Sequence, residues 1–375
     1  MSYNLYQKVR AAMAASAVQA YAKFYVIQLY FNTNYITNFF MKIIVPMAGR
    51  GTRLRPHTLV TPKPLLPIAG KSIVQRLVED LAASYKGTVE EVAFIIGDFG
   101  EAVEKELIRL AQSIGAKGTI YRQDAPLGVG HAILCAAPSL EGNCIIAFAD
   151  TLFKADFTFD TNEDGIIWVQ KVEDPSAYGV VKIDGNAVIT EFVEKSPTFI
   201  SDLAIVGIYY FREGETLRSE LQFLIDNNIK DKGEFQLTSA LENMKRKGIK
   251  FRPGKIDEWL DCGNKTAVLY SNERVLEFNK NTKLVSETVT LENSVIIPPC
   301  FIGDNVVIKN SIIGPHVSIG HDSKIQQSII CNSIIQHHAD IKNAHLDNAM
   351  IGMYVDYKGT TSDASIGDYT KMKLG

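Results

Sequence analysis

The chain has 375 residues, 46% of them hydrophobic and 22% charged, and a formal net charge of -3. That length calls for two or more folding units of a soluble globular protein, and so small a net charge excludes general attraction to DNA or RNA. The five cysteines, Cys135, Cys144, Cys262, Cys300 and Cys331, are scattered without the spacing of a zinc site or a disulfide framework, so a reducing cytoplasm suits them best.

Residues 1–40 join an alanine-rich stretch to an aromatic one broken by Asn32, Asn34 and Asn38. They hold no apolar run of about 18 residues, so no membrane span is expected. Met41 directly precedes the first strand that the pattern needs. Residues 1–40 are therefore expected to form an upstream extension outside the core.

Lys42 to Met47 is a short aliphatic run without helical period, the pattern of a parallel strand covered on both faces. Ala48, Gly49, Gly51 and Thr52 follow it. Glycines there can take positive φ and bring backbone N–H groups close to an anion, while Arg53 and Lys63 add fixed positive charge. The string is neither a P-loop nor a dinucleotide fingerprint. Pro56, Pro62, Pro64 and Pro67 forbid a regular helix directly after the glycines, so an extended arm is expected to carry Lys63 back across the site. The full string, G-x-G-T-R-L-x-P-x-T followed by P-K-P-L-L-P, strongly resembles the signature of the sugar-1-phosphate nucleotidyltransferases.

From Ser72 the pattern alternates helix and strand: helical spacing over 73–83, a β-branched run over 89–96, an amphipathic stretch over 100–113, then strands at 119–122 and 144–148 around a helix at 130–137. Repeated βα units predict an α/β fold with a doubly wound, mainly parallel, Rossmann-like sheet. Ligands of such sheets sit beyond the carboxyl ends of the strands, where the glycine loop, Gln123 and Asp150 all fall. Gln123 to Gly128 reads either as a polar turn before a helix or as a base reader, since a glutamine amide offers both donor and acceptor; the resemblance implies base contacts for Gln123 and Gly128. Asp150, after five apolar residues, is either a helix cap or a metal ligand. Nucleotidyl transfer needs Mg²⁺ held by one or two carboxylates, which favours the ligand role. The second carboxylate is then Asp261, in a segment that resembles the family's W-L-D-x-G motif.

Between the two aspartates, Asp174 to Val180 is similar to the family's D-P-x-x-Y-G-V segment and Glu191 to Lys195 to its E-x-x-E-K segment. Standing alone, the latter could be solvated charges at a strand end. The resemblance implies Tyr178, Gly179, Glu194, Lys195, Val206 and Trp259 as substrate contacts. It implies Arg53, Lys63, Asp150, Lys195 and Asp261 as the catalytic charges, and Ala48, Gly49, Gly51, Thr52, Arg53 and Lys63 as the nucleotide loop. The loop's A-G-R-G is closer to the uridylyltransferase branch than to the G-G-x-G common in thymidylyltransferases. The expected substrates are a nucleoside triphosphate and a sugar 1-phosphate, with dTTP and glucose 1-phosphate favoured over UTP, and over GTP with mannose 1-phosphate. A non-catalytic regulatory subunit would show loss of one of the five charges, and all five are present.

A nucleotidyltransferase domain over 41–263 and a linker helix over 264–285 are thus expected, followed by repeats over 286–375. Ser294, Ser311, Ser328 and Ala344 open triplets at spacings of 17, 17 and 16, and aliphatic residues recur at steps of six, six and five from Ile296 to Ile330. This is the pattern of a short left-handed parallel β-helix, with Gly303, Gly314 and Gly320 at corners. Five of the seven histidines lie here. Coils of this kind also occur in acyltransferases, but about four rungs without a long loop fit self-association better, so a homo-oligomer is expected.

Overall fold

The structure, a computed structural model, describes residues 40–49, 51–154 and 161–359. The expectation for residues 1–40 lies, Phe40 apart, outside them. The described residues form two compact units that interleave in sequence: one takes 40–49, 78–148, 154 and 161–258, the other takes 51–77, 149–153 and 259–359.

Up to residue 122 the strands are β1 (Phe40–Pro46), β2 (Pro67–Ile68), β3 (Lys71–Ser72), β4 (Thr88–Ile96) and β5 (Lys117–Arg122). Then come β6 (Cys144–Ala147), β7 (Thr151–Lys154), β8 (Gly165–Lys171), β9 (Gly179–Ile183), β10 (Ile189–Glu194), β11 (Leu203–Phe211), β12 (Phe251–Lys255) and β13 (Glu258–Asp261). The helices are α1 (Ile73–Ser84), α2 (Glu101–Ser113), α3 (Val129–Cys135), α4 (Gly214–Asp226), α5 (Leu237–Arg246) and α6 (Lys265–Phe278).

In the first unit, β5, β4, β1 and β6 lie side by side and parallel, as the alternating pattern predicts. All four residues of β6 and the last six of β4 are buried, because such strands are covered on both faces. Beyond β6 the sheet turns mostly antiparallel: β11 runs against β6, β8 and β9, and β10 against β9, while β12 alone lies parallel to β8. The sheet is thus mixed, with a parallel core that ends in the glycine loop and an antiparallel extension that carries the D-P-x-x-Y-G-V and E-x-x-E-K segments. Helices α3, α4 and α5 bury Ile133, Leu217, Leu221, Leu224, Leu241 and Met244 in the same core as Ile44, Ile146 and Tyr209.

In the second unit, residues 290–358 build three parallel sheets whose strands pair rung on rung. Thr290 pairs with Val307, Val307 with Lys324, Lys324 with Asp340 and Asp340 with Asp356, at the spacings read from the sequence. Ile302, Ile308, Ile313, Ile319, Ile325 and Ile330 all point inward and are fully buried. Each such side chain contributes about 1.5–3 kcal/mol. The corners follow a division of labour that composition alone hides. Asn293, Asn305, Asn310, Asp322, Asn332, Asn343 and Asn348 take left-handed φ, which short polar side chains tolerate. Gly303 and Gly320 instead serve close approach: a Cβ on them would stand 2.8 Å from His321 N and 2.5 Å from His337 N on the next rung. Among the described residues no helix is long and apolar enough to cross a membrane.

Candidate active site

The phosphate-binding candidates Gly51, Thr52, Arg53 and Lys63, with Asp150 and Asp261, lie within the second unit. Gly51 is in the left-handed region at φ 59, and a Cβ there would stand 2.7 Å from Lys63 Cβ, so glycine is required twice over. Thr58 closes the turn by donating its hydroxyl to Gly51 O at 2.7 Å. The arm that follows is not extended. Two single-turn 3₁₀ segments, Thr52–Leu54 and Lys63–Leu65, and the turns between them fold it compactly, since proline excludes the α-helix but suits a 3₁₀ first turn. Lys63 is buried by this folding, and its Nζ donates to Asp150 Oδ2 at 2.7 Å.

Asp150 sits in the turn before β7, and Cys262 N donates to Asp150 O at 2.9 Å, so the two aspartates that are remote in sequence meet where β7 pairs with β13. Burial raises the pKa of Asp261 above the usual carboxylate value and the charge of Asp150 raises it further, against the opposing pull of Lys63, the Gly263 N–H and Arg53. A Cβ on Gly263 would stand 3.0 Å from both Asp261 carboxylate oxygens and 3.4 Å from Arg53 Nη2. Glycine there therefore lets carboxylate and guanidinium close up. Thr52 and Arg53 remain exposed, and Trp259 is half-buried on β13.

The first unit holds the other candidates. Ala48 and Gly49 leave β1, and nothing lies within 4 Å of where a Gly49 Cβ would be. Of the two loop glycines only Gly51 has positive φ; Gly49 contributes open space. Gln123 Nε2 donates to Gly128 O at 3.1 Å and lies 3.2 Å from His131 Nδ1, so both amide hydrogens have partners inside the chain. Gly128, at φ 113, is clamped by the segment leading to α5, where a Cβ would meet Phe235 O at 2.7 Å.

On the antiparallel extension, Gly179 pairs with Glu194, and a Gly179 Cβ would stand 3.1 Å from Glu194 Oε2. Thr238 donates its hydroxyl to that same oxygen at 3.3 Å. Lys195 N donates to Tyr178 O, and Lys195 itself is held at φ 43. Its Nζ lies 3.6 Å from Glu194 Oε1. Val206 is buried in the β11 irregularity beside Gly207. Sequence reasoning missed Lys232, whose Nζ donates to the carbonyls of Glu194 and Lys195 at 2.9 and 2.6 Å and pins the strained turn. No motif marks it, because it acts on backbone. Thr238 was legible only as the last residue of Glu234 to Thr238, which resembles the family's short E-x-x-L-T helix start.

This fold, with its two sets of polar side chains, is that of a nucleotide-handling α/β protein, and a family model described as nucleotidyl transferase matches residues 42–277. The chain belongs to that family. It is similar to the bifunctional protein GlmU of Methanococcus maripaludis, 29% identical over 266 residues that cover 68% of this chain and 60% of that protein. It is also similar to the mannose-1-phosphate guanylyltransferase catalytic subunit beta of Danio rerio, 34% identical over 194 residues, 48% of this chain and 52% of that one. The chain thus spans about three fifths of the length of its GlmU relative. Among solved structures, UDP-glucose pyrophosphorylase complexed with UDP-glucose superposes with a TM-score of 0.53 at 25% identity, over 64% of this chain and 99% of that one.

Proposed function

We propose that the chain transfers a nucleotidyl group from a nucleoside triphosphate to a sugar 1-phosphate, giving a nucleoside diphosphate-sugar and pyrophosphate. The observation that carries this is the cluster of Lys63, Arg53, Asp150 and Asp261. Asp261 is half-buried and repelled by Asp150, a donor set that a hard divalent cation relieves, so Asp150 and Asp261 would hold Mg²⁺. The bound ion would supply charge neutralisation and Lewis-acid polarisation of the phosphates.

The chain's own residues position and stabilise. An anionic oxygen of the sugar phosphate attacks the α-phosphorus; the new P–O bond forms as the bond to the β-phosphate oxygen breaks, and its electron pair leaves with pyrophosphate. The nucleophile is already anionic near neutrality, so no general base is needed. Arg53 stabilises charge on the α-phosphate and leaving group, Lys63 holds the phosphates, and Lys195 holds the incoming phosphate. Backbone N–H groups of Ala48, Gly49, Gly51 and Thr52 line the phosphate path. Glu194, oriented by Thr238, accepts hydrogen bonds from sugar hydroxyls, with Tyr178, Gly179, Val206 and Trp259 contacting the substrate. Gln123 and Gly128 address the base. Gln123 reads it through the carbonyl oxygen unless its amide leaves Gly128 and His131.

Our first choice of substrates is dTTP with glucose 1-phosphate. UTP differs by the base methyl and the ribose 2′-hydroxyl, and GTP with mannose 1-phosphate is the pair suggested by the guanylyltransferase relative. A matrix of nucleotides against sugar phosphates, scored by pyrophosphate release with Mg²⁺, tests the proposal. Turnover with one pair supports it, and no turnover with any pair removes it. Exposed Val295, Ile312 and Ile329, stacked on one sheet of the coil, support the further reading that copies of the chain associate there.

A further inference from the structure

One corner column of the coil concentrates chemistry that nucleotidyl transfer does not use. His321, His337 and His338 each offer a ring nitrogen within 4.8 Å of the other two. His321 and His337 stack with centroids 4.8 Å apart and planes 4° from parallel, and His338 stands edge-on to both. The backbone fixes the column: Asp322 N donates to Asp304 O, His338 N to His321 O and Tyr354 N to His337 O, each to the preceding rung. Gly320 lets the rungs come this close, and Asp322 and His338 hold the left-handed corner.

The hydrogen bonding leaves lone pairs to spare. His321 Nδ1 lies 2.7 Å from Asp322 Oδ2, and an ionised carboxylate only accepts, so Nδ1 carries the proton and Nε2 the lone pair. This is the carboxylate–histidine pairing that orients metal-ligating imidazoles. His337 Nδ1 is shielded from solvent and has no hydrogen-bond partner among the described residues. Such an orphaned polar atom costs free energy that a ligand would recover.

We propose that His321, His337 and His338 bind one divalent first-row transition ion of the Zn²⁺, Ni²⁺ or Cu²⁺ class. Imidazoles suit these ions and not Mg²⁺. Metal–nitrogen bonds of about 2.0–2.1 Å in tetrahedral geometry need ring nitrogens about 3.4 Å apart. The rings must therefore close in by roughly an ångström, which the half-exposed His321 allows by side-chain rotation. Three protein ligands leave one position for water, and the ion cross-links two successive rungs.

The test uses the full chain, stripped with a chelator and free of nucleotide and Mg²⁺, titrated with ZnCl₂ by calorimetry and with Co²⁺ by visible absorption. One Zn²⁺ per chain at micromolar or tighter affinity, with Co²⁺ bands of a nitrogen-rich site, is expected. His321→Asn and His338→Asn should each weaken binding by more than the about 10–100-fold that loss of an outer-shell partner costs, and the double variant should abolish it. Asp150→Asn should leave it intact, which separates the site from the carboxylates. Absence of binding in the parent chain overturns the proposal. So does binding that survives the double variant or is lost in Asp150→Asn.

Discussion

Individual side chains at the phosphate cluster act through contacts that can be removed one at a time. Asp150→Asn keeps the size but removes the charge that holds Lys63 at 2.7 Å. Transfer should fall by on the order of 100-fold or more, and the rate should lose its Mg²⁺ dependence at the same time, as steady-state assays across Mg²⁺ concentration would show. Kinetics equal to the parent would contradict the metal assignment. Gly51→Ala is a backbone experiment. It places a Cβ 2.7 Å from Lys63 Cβ in a left-handed residue, and the strain should cost about 1–3 kcal/mol and displace Lys63. Both a lower urea midpoint and a lower kcat are expected, and an unchanged midpoint would show that the turn adapts freely.

Helix α6 ties the coil to the hairpin that carries the basic arm. Asn272 is buried, accepts from Ala69 N at 3.0 Å and from the Ser318 hydroxyl at 2.6 Å, and donates to His316 O. Asn272→Ala strands these groups and should cost about 2–3 kcal/mol, with Asn272→Asp closer to the parent. Glu277, at the end of α6, faces His316 Nε2 at 2.8 Å, and that hydrogen bond, helped by Lys280, holds its carboxyl below the ordinary value of 4.5. A depressed carboxylate pKa means that the unfolded chain binds the extra proton. The contribution is therefore complete above the ordinary value and lost as pH falls through the folded one. Melting temperatures measured between roughly pH 5.5 and 3.5 should fall less steeply in Glu277→Gln than in the parent chain. Parallel slopes would remove Glu277 from the account. None of these ties was legible in the sequence. An asparagine at one helical position carries no period and no motif, whereas the isoleucine steps of the coil and the apolar runs of β1, β4 and β6 report burial directly. The antiparallel extension was also hidden, since a buried strand reads alike in either direction.

At the scale of the whole molecule, the interleaving of the units changes what a truncation should do. Read along the sequence, deletion from about Ser286 onward removes an assembly module and leaves transfer partly retained. In the structure, residues 50–77 belong to the same compact unit as the coil. Phe301 of the coil fills the space over Gly70, where a Cβ would meet its ring at 2.2 Å. The truncated chain should therefore lose both association and most of its transfer activity, measured by light scattering and pyrophosphate release on one preparation. Full activity in the truncated chain would show that the hairpin stands without the coil, and an unchanged mass would refute association through it. The charged positions near the glycine loop stand out in the sequence because they sit in a long motif; their grouping with the coil does not, because it depends on contacts between segments some 200 residues apart.

The coil's arithmetic has a consequence for how the protein can change. Its inward isoleucines and left-handed corners repeat with the rung, so tandem duplication of one 17-residue unit presents every neighbour with the surface it already meets. The chain can grow at that end by whole units without disturbing Lys63 or Asp150. An insertion of half that length would turn the ladder outward, and purifying selection on length should be far stricter within a rung than in the number of rungs.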